Sequence, residues 1–155
     1  MGNSREVGVS SYPDAKRVAE HLGGYRVLKR RVASVADLER AVGQGLPYAA
    51  LAHVMRAFPE RQQRRVAEIV LPRSTLQRRE TEGRLKPAES ERLERLVRLT
   101  TLAEQVWESA EEAQRFLTTP HPMLEGQAPL ELAATDLGAR RVEGLLWNLE
   151  YGLPV

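Results

Sequence analysis

The segment that begins at Pro87 constrains the fold of this chain more than any other. Its apolar and small residues follow one another at spacings of three and four: Leu93, Leu96, Val97, Thr100, Ala103 and Trp107. Such spacing keeps one face of a helix apolar for about five turns. Pro87 suits the first position of that helix, where its missing N–H leaves no hydrogen bond unmade. A long amphipathic helix of this kind has to be covered by other elements.

The remainder of the chain also favours helices. Strand-like alternation is scarce, and Gly and Pro lie between periodic segments rather than within them. We expect further helices over residues 13–22, 35–43, 46–58, 59–71, 73–82, 110–117, 129–132 and 136–151, while the conformation of residues 25–32 stays open. Ser34, Ser109 and Thr135 are the predicted N-caps. The sequence therefore predicts an all-α fold with room for one or two compact units.

The charged residues divide the chain between Lys86 and Pro87. Residues 1–86 carry 17 Lys and Arg against 9 Asp and Glu, whereas residues 87–155 carry 6 Arg against 12 Asp and Glu. The net charge of +2 hides this division. A basic half suits a polyanion such as DNA, and an acidic, leucine-rich half suits a protein surface. Chance clustering of solvated charges is the alternative.

The composition argues against several classes of protein. The chain has no cysteine, and its three histidines (His21, His53 and His121) are scattered, which excludes disulfides and argues against a zinc site. No apolar run approaches the length of a membrane-spanning helix, and the N-terminus lacks the apolar core of a signal peptide. We therefore expect a cytoplasmic protein without a metal or another cofactor.

A helix-turn-helix pattern closes the basic half. Residues 59–71 predict a short amphipathic helix, and after a turn residues 73–82 predict a second helix with Leu76 as its buried anchor. The second helix of such a motif enters the major groove of DNA. An Arg-rich helix that only faces solvent is the alternative. The predicted DNA-binding residues are Arg61, Arg64, Arg65, Arg73, Ser74, Thr75, Gln77, Arg78 and Arg79, with Arg84 extending the positive surface.

The last helix of the acidic half carries an inward stripe of Val142, Leu145, Leu146 and Leu149. Trp147 lies one position off that stripe, so a core position and a partner contact both stay open. Gly152 ends the helix and leaves the short apolar segment Leu153, Pro154 and Val155 after it.

Spaced motifs in two long runs carry a resemblance to a known family. They are T-L-x-R-R at 75–79, L-x-x-x-E-S-x-R-L at 85–93, L-x-G-x-x-P-L-x-L-x-x-T at 124–135, G-x-x-x-V-x-x-L-L at 138–146 and Y-G at 151–152. In this order they resemble the Xre/MbcA/ParS antitoxins of bacterial type II toxin–antitoxin systems. The resemblance spans roughly residues 35–155 and is specific, because many spaced positions agree in order.

The resemblance implies a non-enzymatic, all-α protein with two roles. An Xre/Cro-like helix-turn-helix domain at residues 35–86 would bind an inverted repeat in its own promoter as a homodimer. A toxin-binding domain at residues 87–155 would neutralise a co-encoded RES-type toxin, which resembles NAD-consuming ADP-ribosyl transferases, in a higher-order complex. In such complexes the antitoxin's C-terminal end covers the toxin's NAD site. The expected toxin-binding residues are Trp147, Glu150, Tyr151, Gly152, Leu153, Pro154 and Val155.

Two expectations lie outside that resemblance. Residues 1–34 form a partly flexible N-terminal extension, and the basic stretch from Arg26 to Arg31 has no assigned role. Two other functions also stay open. One is a stand-alone helix-turn-helix transcription regulator whose C-terminal domain senses a ligand or dimerises, and the other is an acid/base enzyme that uses Glu and His. The enzyme is disfavoured because the chain has no Ser/His/Asp, metal or Gly-rich phosphate motif.

Overall fold

A computed structural model describes residues 12–152 of the chain. These residues form ten α-helices, one short 3-10 helix and no β-strand, so the prediction of an all-α fold is confirmed. The α-helices are α1 Ala15–His21, α2 Gly24–Leu28, α3 Val35–Gly43, α4 Tyr48–Arg56, α5 Glu60–Val70, α6 Arg73–Glu82, α7 Pro87–Trp107, α8 Ala110–Thr118, α9 Pro129–Leu132 and α10 Asp136–Glu150, and the 3-10 helix is η1 Pro122–Leu124. Within this part of the chain, no helix has the length and apolarity needed to cross a bilayer.

Helix α7 is the central element of the fold. It begins as the sequence predicts, with Pro87 in the first turn and the Lys86 N–H donating to Glu89 Oε1 at 2.8 Å. Its apolar face packs against α1, α3 and α5 on one side of the charge division and against α8 and α10 on the other. Leu93, Leu96 and Leu102 have no exposed surface. The basic and acidic halves therefore share one hydrophobic core.

The three predicted N-caps are confirmed. Ser34 Oγ accepts from the Asp37 N–H at 3.1 Å, and Ser109 Oγ accepts from the Glu112 N–H at 3.2 Å. Thr135 Oγ1 accepts from the Gly138 N–H at 3.0 Å. Each bond satisfies a backbone donor that the helix itself leaves without a partner. These helices start where they do because of interactions within four consecutive residues.

Part of the predicted N-terminal extension, within residues 12–34, is folded against the core. Val18 and Leu22 on α1 are fully buried, and α1 packs against α7. Within the stretch left open at residues 25–32, residues 25–28 belong to α2, and Lys29 after the helix adopts the left-handed conformation, with φ 58°. The fraying expected for residues 1–11 lies outside the described residues.

Two smaller expectations about the front helices are wrong. The helix expected over residues 46–58 begins only at Tyr48, because the Leu46 carbonyl instead accepts from the Leu85 N–H at 2.8 Å. Val35 does not share the buried face of α3 with Leu38, since it lies in the first turn of the helix and is 47 % exposed.

Candidate functional site

Helices α5 and α6 form the helix-turn-helix unit that the sequence predicts. The apolar side chains of α5, among them Val66, Ile69 and Val70, are buried, and the helix packs against α4 and α7. Leu71 then adopts an extended conformation, which turns the chain before Pro72 and α6. Leu76, expected as the buried anchor of the second helix, is only half-buried, and it packs against the core. Apart from Arg79, which is buried, and Thr75, which is half-buried, the other residues of α6 are exposed.

Most of the predicted DNA-binding side chains lie on that surface. Arg61 and Arg64 on α5 are exposed, as are Arg73, Ser74, Gln77 and Arg78 on α6, while Thr75 is half-buried. Within residues 12–152, the four arginines of this set take part in no ion pair. Their guanidinium groups are therefore available to phosphates or to the acceptor atoms of guanine.

Arg79 does not belong to this surface, which corrects its assignment as a DNA-binding residue. Its side chain is 8 % exposed, and its Nε donates to Glu89 Oε1 at 2.7 Å. A second nitrogen lies 3.3 Å from Glu82. Burial works to raise the pKa of Glu89, but the hydrogen bonds from Arg79 and from the Lys86 N–H hold that pKa below its ordinary value. Arg79 thus joins α6 to the start of α7.

Arg65 is also committed to a partner inside the molecule. It contacts both carboxylate oxygens of Glu131 on α9 and lies 3.7 Å from Glu68 on its own helix. About half of the Arg65 side chain stays exposed, at 47 %. This pair joins the helix-turn-helix unit directly to the acidic half, and it lowers the net positive charge that Arg65 presents to DNA.

The C-terminal half of α6 is less suited to DNA than its N-terminal half. Glu80 and Glu82 are exposed there, and carboxylates repel the phosphate backbone. Of the predicted DNA-binding residues on α6, those from Arg73 to Arg78 therefore suit base contacts best, because such motifs direct this end of the helix into the groove.

At the other end of the molecule, α10 brings Trp147 and Tyr151 together. The two rings stack with their centroids 5.7 Å apart and their planes 17° from parallel. Trp147 is half-buried against the core and its Nε1 has no acceptor within residues 12–152, while Tyr151 is 63 % exposed. Glu150 and Gly152 are exposed as well. Leu153, Pro154 and Val155 lie outside the described residues.

The acidic half exposes apolar side chains that the sequence analysis missed. Met123 is 54 % exposed and Leu137 is 75 % exposed. Trp107, expected on the buried stripe of α7, is 40 % exposed because α7 ends at this residue and the chain turns away at Glu108, where φ is 51°. A groove of about 310 Å³ runs beside Trp107, lined among others by Phe116, His121 and Leu149.

A buried polar cluster connects α7 to the residues before α1 and to α10. The Tyr12 hydroxyl donates to Glu94 Oε1 at 2.6 Å, and Arg98 lies 3.5 Å from Glu94 and 2.7 Å from Glu143, the latter without hydrogen-bond alignment. Burial raises the pKa of Glu94, and burial followed by the Glu94 charge raises the pKa of Tyr12. The cluster therefore contributes polar contacts that hold these elements together.

Comparison with known proteins identifies both halves. Residues 37–98 match the antitoxin Xre-like helix-turn-helix domain, and residues 102–152 match the antitoxin Xre/MbcA/ParS C-terminal toxin-binding domain. The two matches meet within α7. The chain is also similar to a protein described as Antitoxin Xre from Pseudomonas putida, at 33 % identity over 84 residues. That alignment covers 54 % of this chain, which thus spans about half (53 %) of the relative's length. The chain is therefore similar to the Xre/MbcA/ParS antitoxins in both of their domains, one after the other.

Proposed function

We propose that the chain is an antitoxin that neutralises a co-encoded RES-type toxin and represses its own operon through α6. One observation carries this proposal. Helix α7 packs against α5 of the helix-turn-helix unit and against α8 and α10 of the acidic half. The first unit exposes Arg61, Arg64, Arg73 and Arg78, which take part in no ion pair within residues 12–152, and the acidic half exposes aromatic and aliphatic side chains. The first surface suits DNA and the second suits a protein. No enzymatic step and no cofactor are part of the proposal.

The DNA contact rests on α6. Arg78 and Gln77 would read base edges, because a guanidinium fork matches guanine and an amide matches adenine. Arg61 and Arg64 on α5 would contact phosphates. A homodimer would present two copies of α6 to an inverted repeat, since helix-turn-helix proteins commonly bind two half-sites one helical turn apart. A mobility shift assay at fixed salt on the DNA upstream of this gene tests the contact.

The toxin contact rests on the end of α10. Tyr151 presents an aromatic ring braced by Trp147, and aromatic side chains of this kind dominate binding energy at protein interfaces. The apolar segment that follows Gly152 would enter the toxin's NAD site with Glu150 at its rim. The acidic character of this half complements a pocket that has to attract NAD phosphates.

Deletion of residues 152–155 tests whether the C-terminal segment covers the toxin's NAD site. The truncated chain should still bind operator DNA, and it should still associate with the toxin through the remainder of α10. It should protect cells less well, because the toxin's active site reopens. Co-expression of the toxin with the truncated chain or the full chain measures this difference as growth and as cellular NAD. Full rescue by the truncated chain would place inhibition elsewhere on the domain.

One feature favours the stand-alone regulator as a second candidate. A cavity of about 730 Å³ lies between α3 and α7, lined by apolar residues such as Leu38 and Val42 and by the polar groups of Tyr12 and Glu94. Its volume is in the range that small ligands occupy. The gene beside this one discriminates the two candidates, because the antitoxin requires a neighbouring toxin gene and the regulator does not.

A further inference from the structure

A cationic cleft lies between α2 and the start of α4. Its volume is about 220 Å³, and its lining residues include Lys29, Arg30 and Arg84 together with Gln44. No aspartate or glutamate among the described residues lines this cleft. Lys29 and Arg30 belong to the basic stretch that has no role in the proposed function and that lies before the matched family domains.

The backbone fixes the floor of the cleft. The Leu85 N–H donates to the Leu46 carbonyl at 2.8 Å, and Pro47 and Arg84 form an isolated antiparallel bridge. Gly45 has φ 86°, and a Cβ there would collide with the carbonyl oxygen of Leu85. The two chain segments can approach this closely only because residue 45 is glycine. The cleft is therefore present before any ligand binds.

The three cations of the cleft keep their charge available. One nitrogen of Arg84 donates to the Gly45 carbonyl at 2.5 Å, which holds the guanidinium in place without neutralising it. No ion pair within residues 12–152 involves Lys29, Arg30 or Arg84. Three like charges around one cleft repel one another, and an anion placed between them relieves that repulsion. The charges that line this cleft therefore favour an anion.

The position of the cleft indicates which class of anion it binds. Arg84 comes directly after Gly83, which ends α6, and the Gly83 carbonyl accepts from the Tyr48 N–H at 3.0 Å beside the cleft. Helix α6 has 10 residues, so it is roughly 15 Å long. The major groove is about 12 Å wide. When the N-terminal half of α6 lies in the groove, the far end of the helix reaches the sugar–phosphate backbone that borders it. There the cations of the cleft have to offset the exposed carboxylates of Glu80 and Glu82.

We propose that this cleft binds phosphodiester groups of the DNA strand that flanks the site occupied by α6. The inference rests on the proposed binding of DNA through α6 and extends it to residues before the helix-turn-helix domain. Lys29, Arg30 and Arg84 contact phosphate oxygens and read no bases, so they add affinity to every sequence alike. The cleft also fixes how far α6 slides along the groove.

The test uses the full chain with the double substitution Lys29→Gln and Arg30→Gln. Arg84 is left unchanged because its hydrogen bond to Gly45 supports the fold. Affinity is measured over a series of salt concentrations on the DNA upstream of this gene and on a scrambled duplex of equal length. Each lost phosphate contact should lower the slope of log affinity against log salt by about 0.9. The ratio of the two affinities should stay as in the wild type.

A matched control removes the same charges elsewhere. Lys16 and Arg17 are exposed on α1, and Arg17 lines a cavity beside Glu104 and Glu150, on the acidic side of the molecule. The double substitution Lys16→Gln and Arg17→Gln should therefore leave the salt slope closer to the wild-type value. Circular dichroism melts confirm that both variants are folded. Equal slopes for the cleft variant and this control would overturn the proposal.

Two further measurements distinguish a failure of the proposed cleft from a failure of the proposed operator binding. If the wild type prefers neither duplex, the proposed operator binding fails, while the slope on scrambled DNA still tests the cleft. Replacing chloride by inorganic phosphate at constant ionic strength tests a free anion. Two results together would contradict the proposal. Phosphate would shift the NMR signals of Lys29 and Arg30, and the cleft variant would bind DNA like the wild type. The cleft would then bind a free anion and not the DNA backbone.

Discussion

Replacing Arg79 by alanine should destabilise the fold and leave the proposed DNA-binding surface of α6 unchanged. The Arg79 and Glu89 side chains are 8 % and 9 % exposed, and their contact is 2.7 Å long. In the alanine variant Glu89 keeps only the hydrogen bond from the Lys86 N–H. A buried charged acceptor that loses its partner costs about 1–3 kcal/mol or more. A typical domain has a total stability of about 5–15 kcal/mol, so this loss is easily measured.

Arg78→Ala is the matched control, because Arg78 is the exposed neighbour on the same helix. It should cost about 1–3 kcal/mol of operator affinity, roughly 5- to 150-fold in Kd. Its urea melt should stay as in the wild type. The Arg79→Ala variant should show the opposite pattern. Its urea midpoint should be lower than that of the wild type, and its operator affinity should be near normal under conditions where it is folded.

A second substitution checks the assignment of the buried pair. Glu89→Gln removes the charge but keeps an oxygen for the Lys86 N–H, so it should recover part of the stability lost in the Arg79→Ala variant. An Arg79→Ala chain that melts like the wild type and loses as much operator affinity as Arg78→Ala would refute this reasoning, because Arg79 would then face DNA.

Three further predictions follow from contacts in the same region. Because the pKa of Glu89 is lowered by folding, its contribution to stability is present above the ordinary value of 4.5 and is lost as pH falls through the folded-state pKa; Glu89→Gln should flatten acid titrations of the unfolding free energy. A fragment starting at Ser90 should show no cooperative thermal melt, since Ser90 is fully buried and bonded to the Leu46 N–H at 2.7 Å. Glu131→Gln frees Arg65 and should strengthen DNA binding at low salt, and unchanged affinity in a mobility shift assay would count against this.

The helices could be predicted from the sequence because their signals are local. Ser34, Ser109 and Thr135 cap helices through groups only three residues away, and the apolar stripe of α7 is visible in its spacing. The role of α1 could not be predicted in this way. Its apolar face is short, and it is buried only because α7, about 70 residues later in the sequence, packs against it. Composition therefore suggested an extension where the structure has a core helix.

The candidate sites, like the helices, could be predicted only where the signal is local in the sequence. Arginines on α5 and α6 pointed to DNA, but nothing within α6 distinguishes Arg78 from Arg79. The distinguishing partner is Glu89, which follows Arg79 by 10 residues. The spacing of Leu76 and Arg79 is a signal that could have been used, because residues three apart share one face of a helix. The exposure of Trp107 depends on where α7 ends, and helix ends are poorly determined by periodicity alone.

The central claim is that this chain binds and silences a toxin encoded beside it. Co-expression of the neighbouring gene's product with the full chain tests this most directly, with growth, cellular NAD and co-purification measured together. We expect the neighbour alone to arrest growth and lower NAD, and the full chain to restore both and to co-purify with the neighbour through residues 102–152. Persistent arrest in the presence of the folded, full-length chain would contradict the account.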